Sequence, residues 1–333
     1  MTMQTTGKYG TSGNHAVRPI RRGIKGPLGT STGLLLANLV HIINKLLAFG
    51  TVLLTTAASQ LSATELRAAG SGTNLVLSWS QDSTNDFYLQ ISTNLSDSAG
   101  WRVATNPPSL VGNEYTTTAA MTGPQGFYRL KAWEILFNGS STAAFRGYQQ
   151  TSFPSNDWVV TANGEFMTVA GSPEGYIITT NQYDDFELLW EWKTGPGGNS
   201  GVMYRDTEFY DAPWKSGPEY QILDDAYYSL PAEQTSGAVW GLIAPTNKTL
   251  MPTGQWNQSR LLVQSNHVEH WLNDRKVVEY ELNSPSFNAL VASSSYFNPY
   301  AQFAKARSGY IAFQLSTPEV SFRNIKVRRL ASE

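Results

Sequence analysis

The feature that most constrains the fold is an alternation of apolar and polar residues, clearest at positions 186–193, where Leu189 alone interrupts it. Four large apolar residues fall on one side of this segment and three charged residues on the other: Phe186, Leu188, Trp190 and Trp192 against Glu187, Glu191 and Lys193. Successive side chains of a β-strand point to opposite faces of its sheet. The segment is therefore predicted to be a strand with one face in a core and the other free to line a cleft.

Similar short segments follow one another from residue 133 to residue 330, separated by turns rich in Gly, Pro, Asn and Asp. The predicted strands are 158–160, 165–169, 176–179, 186–193, 202–205, 219–223, 238–243, 260–264, 267–272, 276–281, 310–314 and 320–328. No stretch of this region has a convincing helical pattern. About a dozen strands in this order are typical of an all-β jelly roll, a sandwich of two antiparallel sheets.

A second set of strand patterns precedes this domain, at 75–79, 87–91, 101–103 and 127–130. We interpret residues 64–132 as a small immunoglobulin-like β-sandwich module. None of its residues dictates a chemistry, so we expect it to act as a spacer or as a binding module.

The first 58 residues differ from the rest of the chain. A basic, Gly-, Ser- and Thr-rich stretch is followed by an apolar run at 46–54 and by the small residues of 55–58. This order predicts a cleaved signal peptide and export to the periplasm or beyond the cell. A retained membrane anchor is the alternative, since 34–54 is long enough to span a bilayer if Lys45 reaches the interface.

The charge and cysteine content exclude several classes of function. The chain has 24 basic and 26 acidic residues, a net charge of -2, which argues against nucleic acid as a partner. With 0 Cys it has no disulfide and no thiolate metal site. Its 10 Trp and 16 Tyr suit β-cores, and they also suit clefts that bind sugars.

Within 133–330 a series of short motifs stands in an order that resembles one known family. The motifs are Leu136-Phe137-Asn138-Gly139, Phe145-Arg146-Gly147-Tyr148, Tyr183-Asp184-Asp185-Phe186, Gly198-Asn199-Ser200-Gly201, Glu219-Tyr220-Gln221-Ile222-Leu223-Asp224, His270-Trp271-Leu272-Asn273 and Phe322-Arg323-Asn324-Ile325. The region resembles the 3-keto-disaccharide hydrolase family, whose domain is also described as a 3-keto-glucoside lyase and 3-keto-glucal hydratase. The resemblance implies a concanavalin-like or glucanase-like jelly roll that acts on carbohydrate.

The chemistry implied by the resemblance is elimination from a 3-keto-glycoside. A ketone at C3 acidifies the hydrogen at C2, so a base can remove it, the enolate can expel the C1 substituent, and water can add later. Such a site needs a base, an acid and a group that stabilises the enolate.

The strand at 219–223 supplies the first candidates. Glu219 shares a face with Gln221, so we expect Glu219 as base or acid and Gln221 as a substrate-binding residue. Asp224 and Asp225 follow at the strand end. Asp224 is a further catalytic candidate, and a divalent cation held by the two aspartates is left open. Capping of a turn is the alternative role for this pair.

The other candidate residues are scattered along the domain. Arg205 is expected to clamp an enolate or hydroxyl groups, with a salt bridge as the equal alternative. His270 is a catalytic candidate, although its alternation with Val268 and Leu272 also fits a core position. Lys193, Asn199, Trp214 and Trp240 are predicted to bind substrate.

Two positions depart from the family motifs. Gln314 is followed by Leu315-Ser316-Thr317-Pro318 where the family has Asp-His-Gly, and Gln255 replaces the family's Glu. If the lost groups serve chemistry, the chain is a weakened enzyme or a binder of sugars, with aromatic residues such as Tyr227 stacking on the rings. A two-carboxylate glucanase is less favoured, because the residue two positions after Glu219 is an amide.

Overall fold

The computed structural model describes residues 64–330 except 72–73, 82–85, 96–100, 105, 121–124, 170, 173–174 and 316–319, together with the backbone of 38–40 and 51–56. The predicted leader, 1–58, lies largely outside these residues, so the signal peptide and the anchor stay predictions. In the described part of the chain, no helix is both long enough and apolar enough to cross a membrane.

The secondary structure is dominated by strands. In chain order these are β1 (Asn38–Val40), β2 (Thr51–Thr56), β3 (Arg67–Ser71), β4 (Asn74–Ser80), β5 (Phe87–Ser92), β6 (Arg102–Val103), β7 (Ser109–Val111), β8 (Glu114–Ala120), β9 (Gln125–Ala132), β10 (Glu134–Phe137), β11 (Phe145–Gly147), β12 (Trp158–Val160), β13 (Phe166–Thr168), β14 (Gly175–Thr179), β15 (Phe186–Thr194), β16 (Asn199–Asp206), β17 (Glu219–Leu223), β18 (Asn257–Gln264), β19 (His267–Leu272), β20 (Arg275–Glu281), β21 (Tyr310–Leu315) and β22 (Val320–Arg329). One α-helix, α1 (Pro285–Ser293), and two 3-10 turns, Pro213–Lys215 and Ala232–Gln234, complete the described elements.

Residues from 134 onward form two antiparallel sheets. The eight-stranded sheet has the order β12-β13-β22-β15-β18-β19-β20, with β10 also paired to β22, and the five-stranded sheet has the order β11-β14-β21-β16-β17. A continuous core of aromatic and aliphatic side chains fills the space between them. The predicted jelly-roll fold is therefore confirmed.

The alternation predicted for 186–193 is confirmed in β15. Phe186, Leu188, Trp190 and Trp192 are buried in the core. The opposite face carries the charged residues, and Glu187 on that face is covered by its ion pairs with Arg260 and Arg328. A charged side chain on the outer face can thus be buried when arginines lie across it, whereas Glu191 and Lys193 on the same face stay partly exposed.

The outer face of the five-stranded sheet positions the candidate site. Its inner face, with residues such as Tyr204, Tyr220 and Ile222, belongs to the main core. Its outer face carries a smaller apolar cluster formed by Tyr148, Ile178, Met203 and Ala312. The side chains of β16, β17 and β21 beside this cluster are polar.

Two predictions about secondary structure were wrong. Helix α1 was not expected, although Ser284 accepts a hydrogen bond from the backbone of Phe287 and Pro285 begins the helix, which is a common N-terminal signal. The predicted strand at 238–243 is a tight loop instead, because Gly237 and Gly241 take positive φ angles of 86° and 68°.

The strands of the preceding module, β3 to β9, belong to two sheets, β3-β4-β8-β7 and β1-β2-β9-β5-β6, and the second of these also includes β1 and β2 from before residue 64. In this second sheet, β2 runs parallel to β9. The module has its own core, made of Leu66, Leu75, Leu77, Trp79, Leu89, Tyr128 and Leu130. Its assignments as a separate domain and as an immunoglobulin-like sandwich stay predictions.

Candidate active site

A cavity of about 110 Å³ lies on the outer face of the five-stranded sheet. Its lining consists of one carboxyl group, three amides and two indole rings: Glu219, Asn199, Gln221, Gln314, Trp214 and Trp240. The carboxyl and amide residues come from the neighbouring strands β16, β17 and β21. The strand order thus brings together side chains that lie more than a hundred residues apart in the sequence.

Glu219 lies across Gly201 on the adjacent strand. The side chain of Glu219 is 7% exposed, and a Cβ built on Gly201 would stand 1.8 Å from Glu219 Oε1. No side chain of any size fits at position 201 unless the carboxyl group moves. Gly201 is therefore required for the observed placement of Glu219.

The pKa of Glu219 is raised to about 8, and burial is the cause. No Lys, Arg or His forms an ion pair with this carboxyl group among the residues that the structure describes. The group is consequently protonated for most of the time at neutral pH. When ionised, it is a stronger base than an exposed glutamate.

The amides beside Glu219 form a short polar chain. With its nitrogen facing the carboxyl group, Gln221 lies 3.3 Å from Glu219 Oε1 and donates to the Ser200 carbonyl at 3.0 Å. In the same orientation the Gln221 oxygen is 3.1 Å from the side-chain amide of Asn199. These groups provide donors and acceptors in the cavity without adding charge.

The two tryptophans form an aromatic wall. The rings of Trp214 and Trp240 meet edge to face, with centroids 6.5 Å apart, and both contact Phe297. The backbone N–H of Trp240 donates to the carbonyl of Glu219 at 3.0 Å, so the loop that carries Trp240 lies along the edge of β17. Four residues predicted to bind substrate thus line one cavity with Glu219, namely Asn199, Gln221, Trp214 and Trp240, and their role in binding stays a prediction.

Asp224 and Asp225 lie outside the cavity, and their oxygens are already engaged. Asp224 accepts hydrogen bonds from the backbone of Gly197 and the hydroxyl of Thr253, both at 2.9 Å. Asp225 pairs with Lys248 at 2.6 Å and accepts from the backbone of Ser236 at 2.9 Å. The pair therefore caps local backbone, its alternative role, and does not offer an open ligand set for a divalent cation.

His270 lies in the core between the sheets, which differs from its predicted catalytic role. Its Nδ1 donates to the carbonyl of Gly237 at 3.0 Å, and its Nε2 accepts from the hydroxyl of Tyr204 at 3.1 Å. The Tyr204 hydroxyl also bonds with that of Tyr280. Burial lowers the pKa of His270 to about 4, so the ring is neutral. By holding Gly237, it supports the loop that carries Trp240.

Arg205 and Lys193 are likewise held away from the cavity. Arg205 is in a bulge of β16 with a φ of 55°, and its guanidinium contacts Asp185 at 3.5 Å and the Ser265 carbonyl at 2.7 Å. Lys193 pairs with Glu165 at 2.7 Å. Both residues satisfy structural ion pairs, which is the alternative that the sequence left open for Arg205.

The sequence did not identify two residues of the site, Gln314 and Gly201. Gln314 was treated only as a marker of the strand, although a lone polar residue in an otherwise apolar strand is a usable signal. Gly201 was assigned to a turn, and its proximity to Glu219 depends on strand pairing. Gln255, at the position of the family's acid, is exposed and does not line the cavity. Residues 316–319, where the family's histidine is absent, lie outside the described residues.

Comparison with known proteins places this fold and cavity in a family. Residues 132–328 match the model of the 3-keto-alpha-glucoside-1,2-lyase-like domain. A 3-keto-disaccharide hydrolase of Bacteroides thetaiotaomicron is 29% identical over 224 residues, which cover 59% of this chain and 77% of that protein.

Two crystal structures of candidate glycosyl hydrolases from Parabacteroides distasonis have the same fold. They are 29% and 25% identical to this chain, each covers 60% of it, and the matches span 94% and 100% of the two structures. Their TM-scores are 0.55 and 0.50. The fold and the cavity thus define a carbohydrate-active jelly-roll protein. More specifically, the chain belongs to the 3-keto-alpha-glucoside-1,2-lyase-like domain family.

Proposed function

We propose that this protein cleaves 3-keto-glycosides by proton abstraction at C2, elimination of the C1 substituent and hydration of the resulting glucal. Family membership and the Bacteroides relative support the substrate class. The observation that carries the proposal is the chemistry of the cavity. Among its lining residues Glu219 alone titrates between acidic and mildly alkaline pH, and it is buried without a cation.

A single acid–base group is sufficient for the elimination, because the proton that it takes from C2 is the proton that it gives to the C1 oxygen. The Glu219 carboxylate takes the proton from C2, and the electrons of that C–H bond form an enolate with the C3 ketone. The enolate then expels the oxygen at C1. That oxygen receives the proton from Glu219, which returns to its ionised form.

The size of the cavity favours such a single acid–base group. A volume of about 110 Å³ corresponds to roughly three or four water molecules. One edge of a sugar ring fills this space, and the C2 hydrogen and the C1 oxygen belong to the same edge. The rest of the substrate would then lie against the wall of Trp214 and Trp240.

The enolate is stabilised by neutral amides in this proposal. Asn199, Gln221 and Gln314 offer N–H donors, which are more effective in a buried site than in water. A lysine or arginine in their place would stabilise the enolate, and it would also lower the pKa of Glu219. The amides preserve the basicity of the carboxylate.

Hydration of the glucal uses the same groups in the reverse direction. A water molecule adds at C1 while Glu219 removes one of its protons and supplies a proton at C2. The net reaction is hydrolysis of the glycosidic bond, with the C3 ketone retained.

The test is to incubate the full chain with a 3-keto-glucoside and with its unoxidised parent. We expect cleavage of the ketone alone and incorporation of deuterium at C2 in heavy water. Glu219→Gln should lower kcat by about 10²–10⁴-fold, whereas Glu279→Gln, an exposed acid on the other sheet, should have no effect. Cleavage of the parent at a similar rate, or an unchanged rate in Glu219→Gln, would overturn the proposal. Binding of either sugar without turnover would favour a carbohydrate-binding protein.

The pH dependence provides a second test. Because the ionised form of Glu219 begins the reaction, kcat/KM on the 3-keto-glucoside should rise with pH up to about 8 and then level off. A rate that falls through the same range would make Glu219 a proton donor in the first step and contradict its role as the base.

A further inference from the structure

A second and larger cleft, of about 760 Å³, lies between the N-terminal module and the eight-stranded sheet. Both parts of the chain contribute to it, with Gln81 and Tyr115 from the module and Asn138, Gln258 and Asn324 from the jelly roll. Clefts of about 300–1,000 Å³ at the junction of two domains are the usual location of small-molecule sites. This cleft does not share any lining residue with the Glu219 cavity.

We propose that this cleft is a binding site for a neutral, unoxidised disaccharide or oligosaccharide. The proposal does not depend on the reaction assigned to Glu219. The site is built on the eight-stranded sheet, whereas Glu219 is on the outer face of the five-stranded sheet. A glycan bound in the cleft would leave the catalytic cavity open.

The charges that line the cleft are compensated. Asp86 of the module forms an ion pair with Lys326 of the jelly roll. Glu191 accepts hydrogen bonds from Arg323 at 2.7 Å and from the Asn324 amide at 2.8 Å. What is left for a ligand is a mixed lining, in which the polar residues Gln81, Asn138, Gln258 and Tyr115 stand beside the apolar residues Ile135 and Leu189. Such a lining suits a neutral sugar, which has both hydroxyl groups and apolar ring faces, better than an ion.

An aromatic ring and a fixed junction complete the site. The ring of Tyr115 stacks on Trp79, with centroids 5.7 Å apart, so its orientation is restricted. The guanidinium of Arg328 lies 4.7 Å from the ring centres of both Tyr88 and Trp133, and it joins the module to the jelly roll. A cleft between parts that are already fixed loses little conformational entropy when it binds a ligand.

The experiment measures binding of maltose, cellobiose and sucrose to the full chain by isothermal titration calorimetry, with inositol as a polyol that is not a glycoside. We expect saturable binding of at least one disaccharide and none of inositol. The double variant Asn138→Ala, Gln258→Ala should weaken this binding by at least about tenfold. Gln255→Ala removes an exposed amide outside the cleft and is the matched control.

Glu219→Gln separates this proposal from the proposed reaction. Disaccharide binding should be unchanged in Glu219→Gln, and cleavage of the 3-keto-glucoside should be unchanged in the double variant. Absence of binding by all three sugars would overturn the proposal. Binding that is lost in Trp240→Ala and kept in the double variant would also overturn it, because it would place the sugar in the Glu219 cavity.

Discussion

Glu219 and Asp185 are both buried carboxyl groups of the same jelly roll, yet their surroundings are opposite. Asp185 has no exposed surface and accepts two hydrogen bonds from Arg307, at 2.6 and 2.7 Å. Arg205 lies 3.5 Å away, and the backbone N–H of Ser265 donates at 2.6 Å. Glu219 has no cation within ion-pair distance among the described residues, and its neighbours are amides and indole rings.

The difference separates a carboxylate whose charge is compensated from a buried carboxyl group that has no cation beside it in the described part of the chain. A buried charge is tolerated when partners compensate it, and Asp185 uses its partners to join three segments of the chain. Glu219 avoids the cost in another way, since it holds a proton until the pH approaches 8. A group that can either hold or release a proton in a small cavity is suited to acid–base chemistry.

The largest effect should follow from removing the charge of Asp185. Asp185→Asn leaves Arg205 buried without its carboxylate, and removal of one partner of a buried pair costs about 3–5 kcal/mol. We expect the free energy of unfolding in urea to fall by this amount, while activity per folded molecule is unchanged. Asp211→Asn, which removes an acid that is 79% exposed, should have almost no effect. Equal stability of Asp185→Asn and wild type would show that the cluster does not hold the fold.

Glu219→Gln should raise the free energy of unfolding at neutral pH, whereas Asp185→Asn should lower it. Because its pKa in the folded state is about 8 and its ordinary value is 4.5, the carboxyl group stabilises the fold at low pH, and this stabilisation is lost as the pH rises through 8. The difference in the free energy of unfolding between Glu219→Gln and wild type should therefore grow in favour of the variant by about 3 kcal/mol as the pH rises from 5 to 8.

The comparison with wild type removes the contribution of His270. Since burial lowers the pKa of His270 to about 4, the histidine adds stability as the pH rises from 4 to 6.5 in both proteins. Urea unfolding at a series of pH values measures the difference between the two curves. A difference that does not vary with pH would show that Glu219 is ionised in the folded protein at neutral pH.

Gly201→Ala should affect catalysis more than folding. The new Cβ would stand 1.8 Å from Glu219 Oε1, so the carboxyl group has to move. We expect kcat/KM to fall by about 10–100-fold, because small displacements of an acid–base group are costly. The KM should change little. Gly126→Ala, at a strand glycine of the N-terminal module where the added Cβ would make only ordinary contacts of 3.4 Å or more, is the control for substitution itself. An activity equal to wild type would mean that Glu219 has another productive position.

The sequence predicted those parts of the site that depend on the local alternation of residues along a strand. The segment 219–223 predicted a strand with the bounds that the structure shows, and its alternation placed Glu219 and Gln221 on one face. This worked because the period of two is a local property of the chain. The same reasoning warned that His270 could face the core, which it does.

The remaining errors concern interactions that are distant in sequence. Asp224 and Asp225 follow the strand directly, but Gly197, Thr253 and Lys248 engage their oxygens from elsewhere in the chain. Arg205 is paired with Asp185, which is 20 residues away. A sequence pattern shows which residues can ionise, whereas the compensation of their charges depends on tertiary contacts. The cavity could therefore be placed near Glu219, and the other charged candidates could not be excluded.

The smallest effect should follow from Asp225→Asn. Its partner Lys248 is 24% exposed, and a partly solvated pair of this kind contributes about 1 kcal/mol or less, in contrast to the pair of Asp185 and Arg205. The variant amide keeps an oxygen that can accept the hydrogen bond from the backbone of Ser236, so the local turn should persist. We expect a small loss of stability in urea and unchanged cleavage of the 3-keto-glucoside, with and without a chelator. A loss of activity that added divalent cation restores would assign Asp225 to a metal site and make it a second functional carboxylate beside Glu219.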